Sequence, residues 1–207
     1  QPFLKVNRNG ERFANESCPY NDIVYAAAHQ PGRVYAQICD ANILEDAKRF
    51  HTIGCSAQTR NGGEKYIQGK MDEAIEAGAL FKCDTLDELA KKLGMNPDNL
   101  KRTVAKWNEF CKTQKGDEFG RMGCEEGNKL PGGPYYASVM TPSVHHTMGG
   151  VTIDEDTRVL DKNGRPIRGL YAAGEITGGI HGTNRVGCNA VPDALIFGTI
   201  GGREVGK

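Results

Sequence analysis

The chain lacks an excess of charge of either sign, since 26 Lys and Arg balance 26 Asp and Glu among its 207 residues. Proteins that bind nucleic acid by neutralising phosphates need a basic excess, and so do proteins that bind anionic membrane surfaces. The sequence also lacks any apolar run near the roughly 18 residues that a membrane-spanning helix requires. We therefore expect neither a nucleic-acid partner nor direct membrane insertion.

A regular spacing of cysteines is absent as well. The seven cysteines are odd in number, scattered along the chain and never arranged as C-x-x-C. This pattern argues against a disulfide framework, a zinc ribbon and c-type haem attachment, and it indicates no other metal site. We therefore expect reduced, mostly buried thiols, as in a reducing cell.

Neither an initiator methionine nor a signal sequence stands at the start, where residues 1–6 (QPFLKV) have the pattern of a strand inside a protein. We interpret the chain as a piece of a longer protein. On that interpretation the targeting region is missing, the compartment is left open, and the piece alone is expected to be inactive.

The first two thirds of the chain contain both helix and strand patterns. Thr85 and Glu88 form a capping box, which predicts the start of a helix, and Asn96-Pro97 predicts the start of the next one. Trp107 lies on the apolar face of that second helix and is expected to anchor a core. Loops are expected at 54–65 and 131–136.

The last third differs in composition. Glycine makes up 27 of the 207 residues, about twice its average share, and much of it follows residue 149. We predict an α+β protein with a domain boundary where the composition changes, giving residues 1–140 and 141–207.

This last part contains three glycine-containing motifs within about 45 residues of one another. The first is His145-His146-Thr147-Met148-Gly149-Gly150. It is either a buried histidine beside a turn, or a histidine that donates to an anionic substrate while the glycines let backbone approach a planar cofactor. Metal binding is disfavoured, because neighbouring side chains diverge on a strand and no third ligand stands at a suitable spacing.

The second motif, residues 170–175 (LYAAGE), is either a core strand that ends in a solvated acid, or a chain that passes under a nucleotide and offers Glu175 to its hydroxyl groups. The third, residues 178–190 (GGIHGTNRVGCNA), places Arg185 in a glycine-rich loop before a helix. Arg185 is either a surface group or a ligand for a carboxylate, which its planar fork suits. The following helix start offers N–H groups to an electron-rich ring.

Together, HHTMGG, RVL, G-x-PI-x-GLYAAGEITGG and HG-x-NR-x-G-x-NA resemble the C-terminal part of the fumarate reductase/succinate dehydrogenase flavoprotein family, above all its soluble flavocytochrome c and urocanate reductase branch. VNRNGERFANE (6–16) resembles the start of the family's capping domain. The resemblance covers essentially the whole chain. It implies a capping, or substrate, domain over 1–140, the C-terminal portion of a Rossmann-like FAD-binding domain over 141–207, and FAD as cofactor.

Position by position, the resemblance also implies roles for individual residues. His145 and Arg185 match residues that bind a substrate carboxylate, and Tyr20 stands where the family has a proton-donating arginine. The implied cofactor contacts come from backbone near the flavin, an acid on its ribitol, and a helix start at its pyrimidine edge: His146, Gly149, Gly150, Glu175, Asn189, Ala190 and Val191.

Tyr20 changes the expected substrate. A phenol, with a reference pKa of about 10, can act as a general acid, but one cation that would hold a second carboxylate is lost. We expect the intact protein to reduce an α,β-unsaturated monocarboxylate or an enone, rather than fumarate, with electrons from another domain or protein. Two alternatives stay open: a non-catalytic capping-domain piece that folds without FAD, and a ketosteroid-type flavin dehydrogenase.

Overall fold

A computed structural model of the chain describes residues 3–42, 63–124 and 128–206. The chain divides into two units, Gln1–Pro142 and Ser143–Lys207. Both units contain helix and strand, so the predicted α+β class is confirmed. The assignment of a capping and a FAD-binding role to the two regions remains a prediction.

An antiparallel sheet organises the first unit. Its strands, in the spatial order β1-β2-β4-β3, are β1 (Leu4–Asn7), β2 (Tyr35–Asp40), β3 (Phe81–Cys83) and β4 (Tyr135–Met140). Ile38 on β2 lies opposite Leu4 on one side and Ala137 on the other, and all three are completely buried. The pleat brings such cross-strand neighbours to the same face, so this face of the sheet lines the core.

The helices described in this unit are α1 (Tyr20–Ala28), α2 (Gly63–Glu76), α3 (Leu86–Leu93) and α4 (Pro97–Thr113). The hydroxyl of Thr85 accepts from the N–H of Glu88 at 3.2 Å, and the Glu88 carboxylate accepts from the N–H of Thr85 at 3.3 Å. This reciprocal pair is the predicted capping box. The side chain of Asn96 likewise accepts from the first turn of α4. Both predicted helix starts are confirmed.

Trp107 on α4 is completely buried in an apolar cluster that α4 shares with the sheet. Its indole N–H donates to the carbonyl of Asn128 at 2.8 Å, so the one polar atom of the ring is satisfied. The predicted core role of Trp107 is confirmed.

Two loop predictions are wrong in part. The described end of the expected loop 54–65 belongs to α2, which begins at Gly63, while the rest of that loop lies outside the described residues. Polar side chains stabilise this helix through pairs such as Gln68–Asp72, at 2.9 Å. In the expected loop 131–136, Tyr135 and Tyr136 already belong to β4, because their backbone pairs with β2.

The expectation of reduced thiols is wrong for one pair. Cys111, near the end of α4, and Cys124 form a disulfide. The side chain of Gln114 hydrogen-bonds to the backbone of both cysteines and holds the two segments together. Contacts of this kind between separate segments cannot be read from cysteine spacing. Cys83, which is buried, and Cys188, which is exposed, lie outside any disulfide.

The second unit has an antiparallel pair of strands, β5 (Arg158–Leu160) and β6 (Pro166–Tyr171), and a helix, α5 (Ala190–Val205). Val151 makes a parallel bridge with Thr177, which joins the start of this unit to the glycine-rich segment. In the described parts of both units, no helix is long and apolar enough for a membrane span.

Candidate functional site

Gly150 and Gly178 bring two of the predicted motifs into backbone contact. The N–H of Gly178 donates to the carbonyl of Val151 at 3.0 Å, and the N–H of Val151 donates to the carbonyl of Ile176 at 2.9 Å. A Cβ on Gly150 would collide with the Ile176 carbonyl, and a Cβ on Gly178 would lie 2.6 Å from the nitrogen of Gly150. Only glycine fits this crossing.

Gly149 and Glu175 lie next to the crossing and face outward. No described atom lies within 4 Å of a Cβ built on Gly149, so its backbone borders open space. The Glu175 carboxylate accepts from the N–H of Thr147 at 3.0 Å. This hydrogen bond lowers the pKa of Glu175 below its usual value. Glu175 is therefore an exposed, ionised acceptor that is available to ligand hydroxyl groups.

The two adjacent histidines differ in their surroundings. His145 is exposed, whereas His146 is half-buried. Both ring nitrogens of His146 are buried without a hydrogen-bond partner in the described part of the chain. Its ring meets the ring of His181 edge-on, with centroids 5.7 Å apart. Buried polar atoms normally have a partner, so these nitrogens indicate a place where water or a ligand completes the site.

Arg185 is only 9% exposed. One terminal nitrogen, Nη1, donates to the carbonyl of Val186 at 3.1 Å, while Nε is buried and has no partner among the described residues. The surface interpretation of Arg185 is therefore wrong. Leaving a buried charged donor unsatisfied is costly, and a carboxylate is the group that best satisfies a guanidinium.

The start of α5 is open to solvent. Asn189 occupies the N-cap position but makes no side-chain capping hydrogen bond. Asn189 and Val191 are exposed, and Ala190 is half-buried. The N–H groups of the first turn therefore lack the capping partner that Asn96 supplies to α4. An electron-rich group of a ligand can take that position.

Two residues that the sequence patterns did not predict, His181 and Asp193, join this cluster. His181 Nε2 lies 3.1 Å from Oδ2 of Asp193, and Asp193 is 6% exposed with Oδ1 unpartnered in the described residues. One sequence signal was available: Asp193 is a carboxylate in the first turn of a helix that has no other charged residue before Arg203. Such a placement is favourable for a carboxylate.

Tyr20 belongs to the first unit, whereas His145 and Arg185 belong to the second. It is the first residue of α1, directly after Pro19, and is 55% exposed. The chain just before it is anchored by Glu16, which is buried and accepts hydrogen bonds from Arg12 and Arg121. Tyr20 is thus an exposed side chain at the start of α1, four residues after a buried ion-pair network.

The second unit fits the expected planar, anionic cofactor and a carboxylate substrate. The open backbone at Gly149, the uncapped start of α5 and the exposed acceptor Glu175 suit a flavin and its ribitol. The unpaired Nε of Arg185 suits a carboxylate. In the described ranges, no group of three or more His, Cys, Asp or Glu side chains is placed to hold a metal ion.

Comparison with known families supports this fit. A family described as "FAD binding domain" matches residues 3–191. The chain is 45% identical over 204 residues to an "NADH:fumarate oxidoreductase" of Klebsiella pneumoniae, which covers 99% of the chain and 20% of that protein. It is 38% identical over 202 residues to an "NADH:acrylate oxidoreductase" of Vibrio harveyi, covering 98% of the chain and 18% of that protein.

A solved structure is similar along the same length. The open conformation of a flavocytochrome c3 fumarate reductase matches with a TM-score of 0.69 and 35% identity, covering 98% of this chain and 32% of that one. The chain thus spans about a fifth of the two relatives' length and a third of the solved chain.

Proposed function

The chain belongs to the FAD binding domain family, and on this premise we propose that the intact protein is a FAD-dependent oxidoreductase that reduces an activated carbon–carbon double bond. FAD is the cofactor of the family. The observation that carries the proposal is Arg185, a nearly buried guanidinium whose Nε has no partner among the described residues. Relatives named for fumarate and acrylate supply the class of substrate, a double bond beside a carboxylate.

When bound and reduced, FAD would supply the hydride chemistry, from flavin N5 to the β carbon of the substrate. Arg185 holds the substrate carboxylate by two parallel hydrogen bonds, and His145 donates a third. As negative charge grows on the carboxylate side of the double bond, these donors stabilise it. Tyr20 donates a proton to the α carbon as general acid.

The same proposal assigns the cofactor contacts. His146, Gly149 and Gly150 would hold the flavin by their backbone, and Glu175 would accept from the ribitol. The start of α5, from Asn189 through Ala190 to Val191, would hold the pyrimidine edge of the ring. Residues 1–140 form the capping region and 141–207 the FAD-binding region.

The proposal extends to the substrate and to the chain taken alone. Arg185 and His145 hold one carboxylate, and Tyr20 adds no positive charge for a second, so an unsaturated monocarboxylate or an enone is favoured over fumarate. Electrons come from another domain or protein. The 207 residues alone bind FAD weakly and are inactive, because they span only a fraction of the relatives' length.

The test is steady-state turnover of the intact protein with reduced viologen as donor. Acrylate-type monocarboxylates and enones should be reduced faster than fumarate, and Tyr20→Phe should lower the rate by about 10²–10⁴. Fast fumarate reduction that survives Tyr20→Phe would remove Tyr20 from the mechanism. Turnover confined to 3-ketosteroids would favour the dehydrogenase alternative. A stoichiometric flavin absorbance band on the isolated 207 residues would refute weak binding by the chain alone.

A further inference from the structure

His181 contacts two other segments of the second unit that carry proposed site residues. It lies in the glycine-rich loop four residues before Arg185, its ring meets His146, the neighbour of His145, and its Nε2 meets Asp193 in the first turn of α5. We propose that His181, oriented by Asp193, is a positioning residue that places His145 and Arg185 to bind a carboxylate. The proposal rests on the function proposed above and names a residue through which that site is assembled.

The contact with Asp193 fixes the direction of the His181 ring. The N–H of Asp193 donates to the carbonyl of Asn189 at 3.1 Å, so the helix sets the position of Asp193. An ionised carboxylate only accepts hydrogen bonds. In the tautomer with the proton on Nε2, His181 donates to Oδ2 of Asp193 across 3.1 Å, and this hydrogen bond joins the two side chains.

The contact with His146 carries this restraint to the first motif. The two rings meet edge-on at an interplanar angle of 78°. Aromatic rings prefer this arrangement to a face-to-face one. His146 therefore rests against a ring that Asp193 holds, and the backbone position of His145 follows from that of its neighbour.

The backbone of the glycine-rich loop needs such a restraint. Gly179 and Gly182, on either side of His181, have φ angles of +90° and +62°, and a Cβ on either would meet no described atom within 4 Å. Glycines in open space give the chain freedom to move. The N–H of Gly182 donates to the carbonyl of Gly179 at 3.4 Å, and the side-chain contacts of His181 add further restraints between the two glycines, three residues before Arg185.

The experiment measures carboxylate binding to the oxidised holoprotein, where no turnover occurs. Propionate and succinate serve as probes, titrated while the flavin absorbance difference is followed. His181→Phe keeps a ring against His146 but loses the hydrogen bond, and Asp193→Ala removes the acceptor. Each should weaken binding roughly 10- to 100-fold, the loss expected for a hydrogen bond to a charged group. Asp193→Asn, which keeps a neutral acceptor, should lie between wild type and Asp193→Ala.

Two further measurements separate positioning from a structural role. The first is that FAD content and melting temperature should match wild type in these variants. The second is that the double variant His181→Phe/Asp193→Ala should bind the probes no more weakly than whichever single variant has the lower affinity. Asp161→Asn is the matched control, because Asp161 also accepts from a nitrogen-containing side chain, that of Arg165 at 3.1 Å, but in an exposed turn of the same unit. This control should bind both probes like wild type.

Other results would contradict either the positioning role of His181 or the carboxylate site itself. Wild-type affinity in the His181 and Asp193 variants would overturn the positioning role and leave the proposed function standing. Loss of FAD or of melting temperature in step with affinity would mean a structural role and would also overturn it. A wild-type protein that binds neither probe would overturn the carboxylate site itself, and this proposal with it. If Asp193→Ala fails to fold, His181→Phe and Asp193→Asn decide the question.

Discussion

The two units differ in the hydrogen bonds that their buried charged side chains make. In the first, the Glu16 carboxylate accepts from two nitrogens of Arg12, each at 2.8 Å, and from Arg121 at 3.2 Å, and Arg12 also donates to Asp117 at 2.5 Å. In the second, Arg185 keeps a buried atom without a partner among the described residues. A completed network stabilises one conformation, whereas an incomplete one leaves donors for a ligand. On this difference we assign the Glu16 network to the fold, whereas the cluster around Arg185 remains our proposed site.

The network of the first unit is also part of its apolar core. The guanidinium groups of Arg12 and Arg121 lie 5.1 and 5.0 Å from the centroid of the Trp107 ring. Such cation–π contacts strengthen when they are removed from water. Trp107 is the single tryptophan of the chain, so its fluorescence reports on this network.

The largest effect is expected at Glu16. Glu16→Ala leaves Arg12 and Arg121 buried without their shared carboxylate, which should lower the free energy of unfolding by about 3–5 kcal/mol. Urea unfolding followed by Trp107 fluorescence measures it. Glu73→Ala removes an exposed ion pair with Lys70 and is the matched control, with a loss below about 1 kcal/mol. Equal losses in both variants would mean that the buried network does not stabilise the first unit.

At Arg185 in the intact protein, by contrast, we expect a substitution to lower activity strongly and to leave stability almost unchanged. Arg185→Lys keeps the charge but loses the planar fork, so kcat/KM should fall by the equivalent of about 2–5 kcal/mol, tenfold for every 1.4 kcal/mol. Urea unfolding should change little, because Nε has no partner among the described residues to lose and Lys can still donate to the carbonyl of Val186. Arg203→Lys, an exposed change on α5 in the same unit, controls for the loss of a guanidinium. Normal kcat/KM in Arg185→Lys would exclude Arg185 from the site.

Acid should act on the first unit through Asp117. Burial alone would raise the pKa of Asp117, but hydrogen bonds from Arg12 and from the N–H groups of Arg121 and Phe119 outweigh it and hold that pKa below its usual value. Its stabilisation is therefore complete above the unfolded pKa of about 3.9 and is lost as pH falls below it. Urea unfolding of Asp117→Asn should show a shallower decline of stability with falling pH. An unchanged decline would remove Asp117 as its cause.

The smallest effects on stability are expected at the starts of two helices, α3 and α5. Thr85→Ala breaks the capping box of α3 and should cost about 1 kcal/mol. Asn189→Ala should change stability by less than about 0.5 kcal/mol, because Asn189 makes no side-chain cap. Circular dichroism during urea unfolding compares the two. A larger loss for Asn189→Ala would contradict the view that the start of α5 is kept open for a ligand.

Sequence patterns correctly predicted the structural features that depend on residues close together along the chain. The capping box at Thr85 and the buried face around Trp107 are set within a few turns of helix, so their residues could be named in advance. The resemblance supplied the family, and the comparison with known proteins confirmed it. Individual roles at Tyr20, His145 and Arg185 remain predictions.

Contacts between distant segments could not be predicted in this way. The disulfide of Cys111 with Cys124 depends on where a loop returns to α4. Tyr135 and Tyr136 become strand because β2 pairs with them across almost a hundred residues. The link from His181 to Asp193 likewise requires knowing how the glycine-rich loop folds back on the helix that follows it.

The most direct test of the central claim uses the intact holoprotein with its FAD reduced under anaerobic conditions. The protein is mixed with acrylate, fumarate or an enone, and the return of oxidised flavin absorbance is followed. The account predicts rapid, saturable reoxidation by acrylate or the enone, slower reoxidation by fumarate, and a higher half-saturating acrylate concentration in Arg185→Lys. Reduced flavin that stays reduced with all three compounds would contradict it.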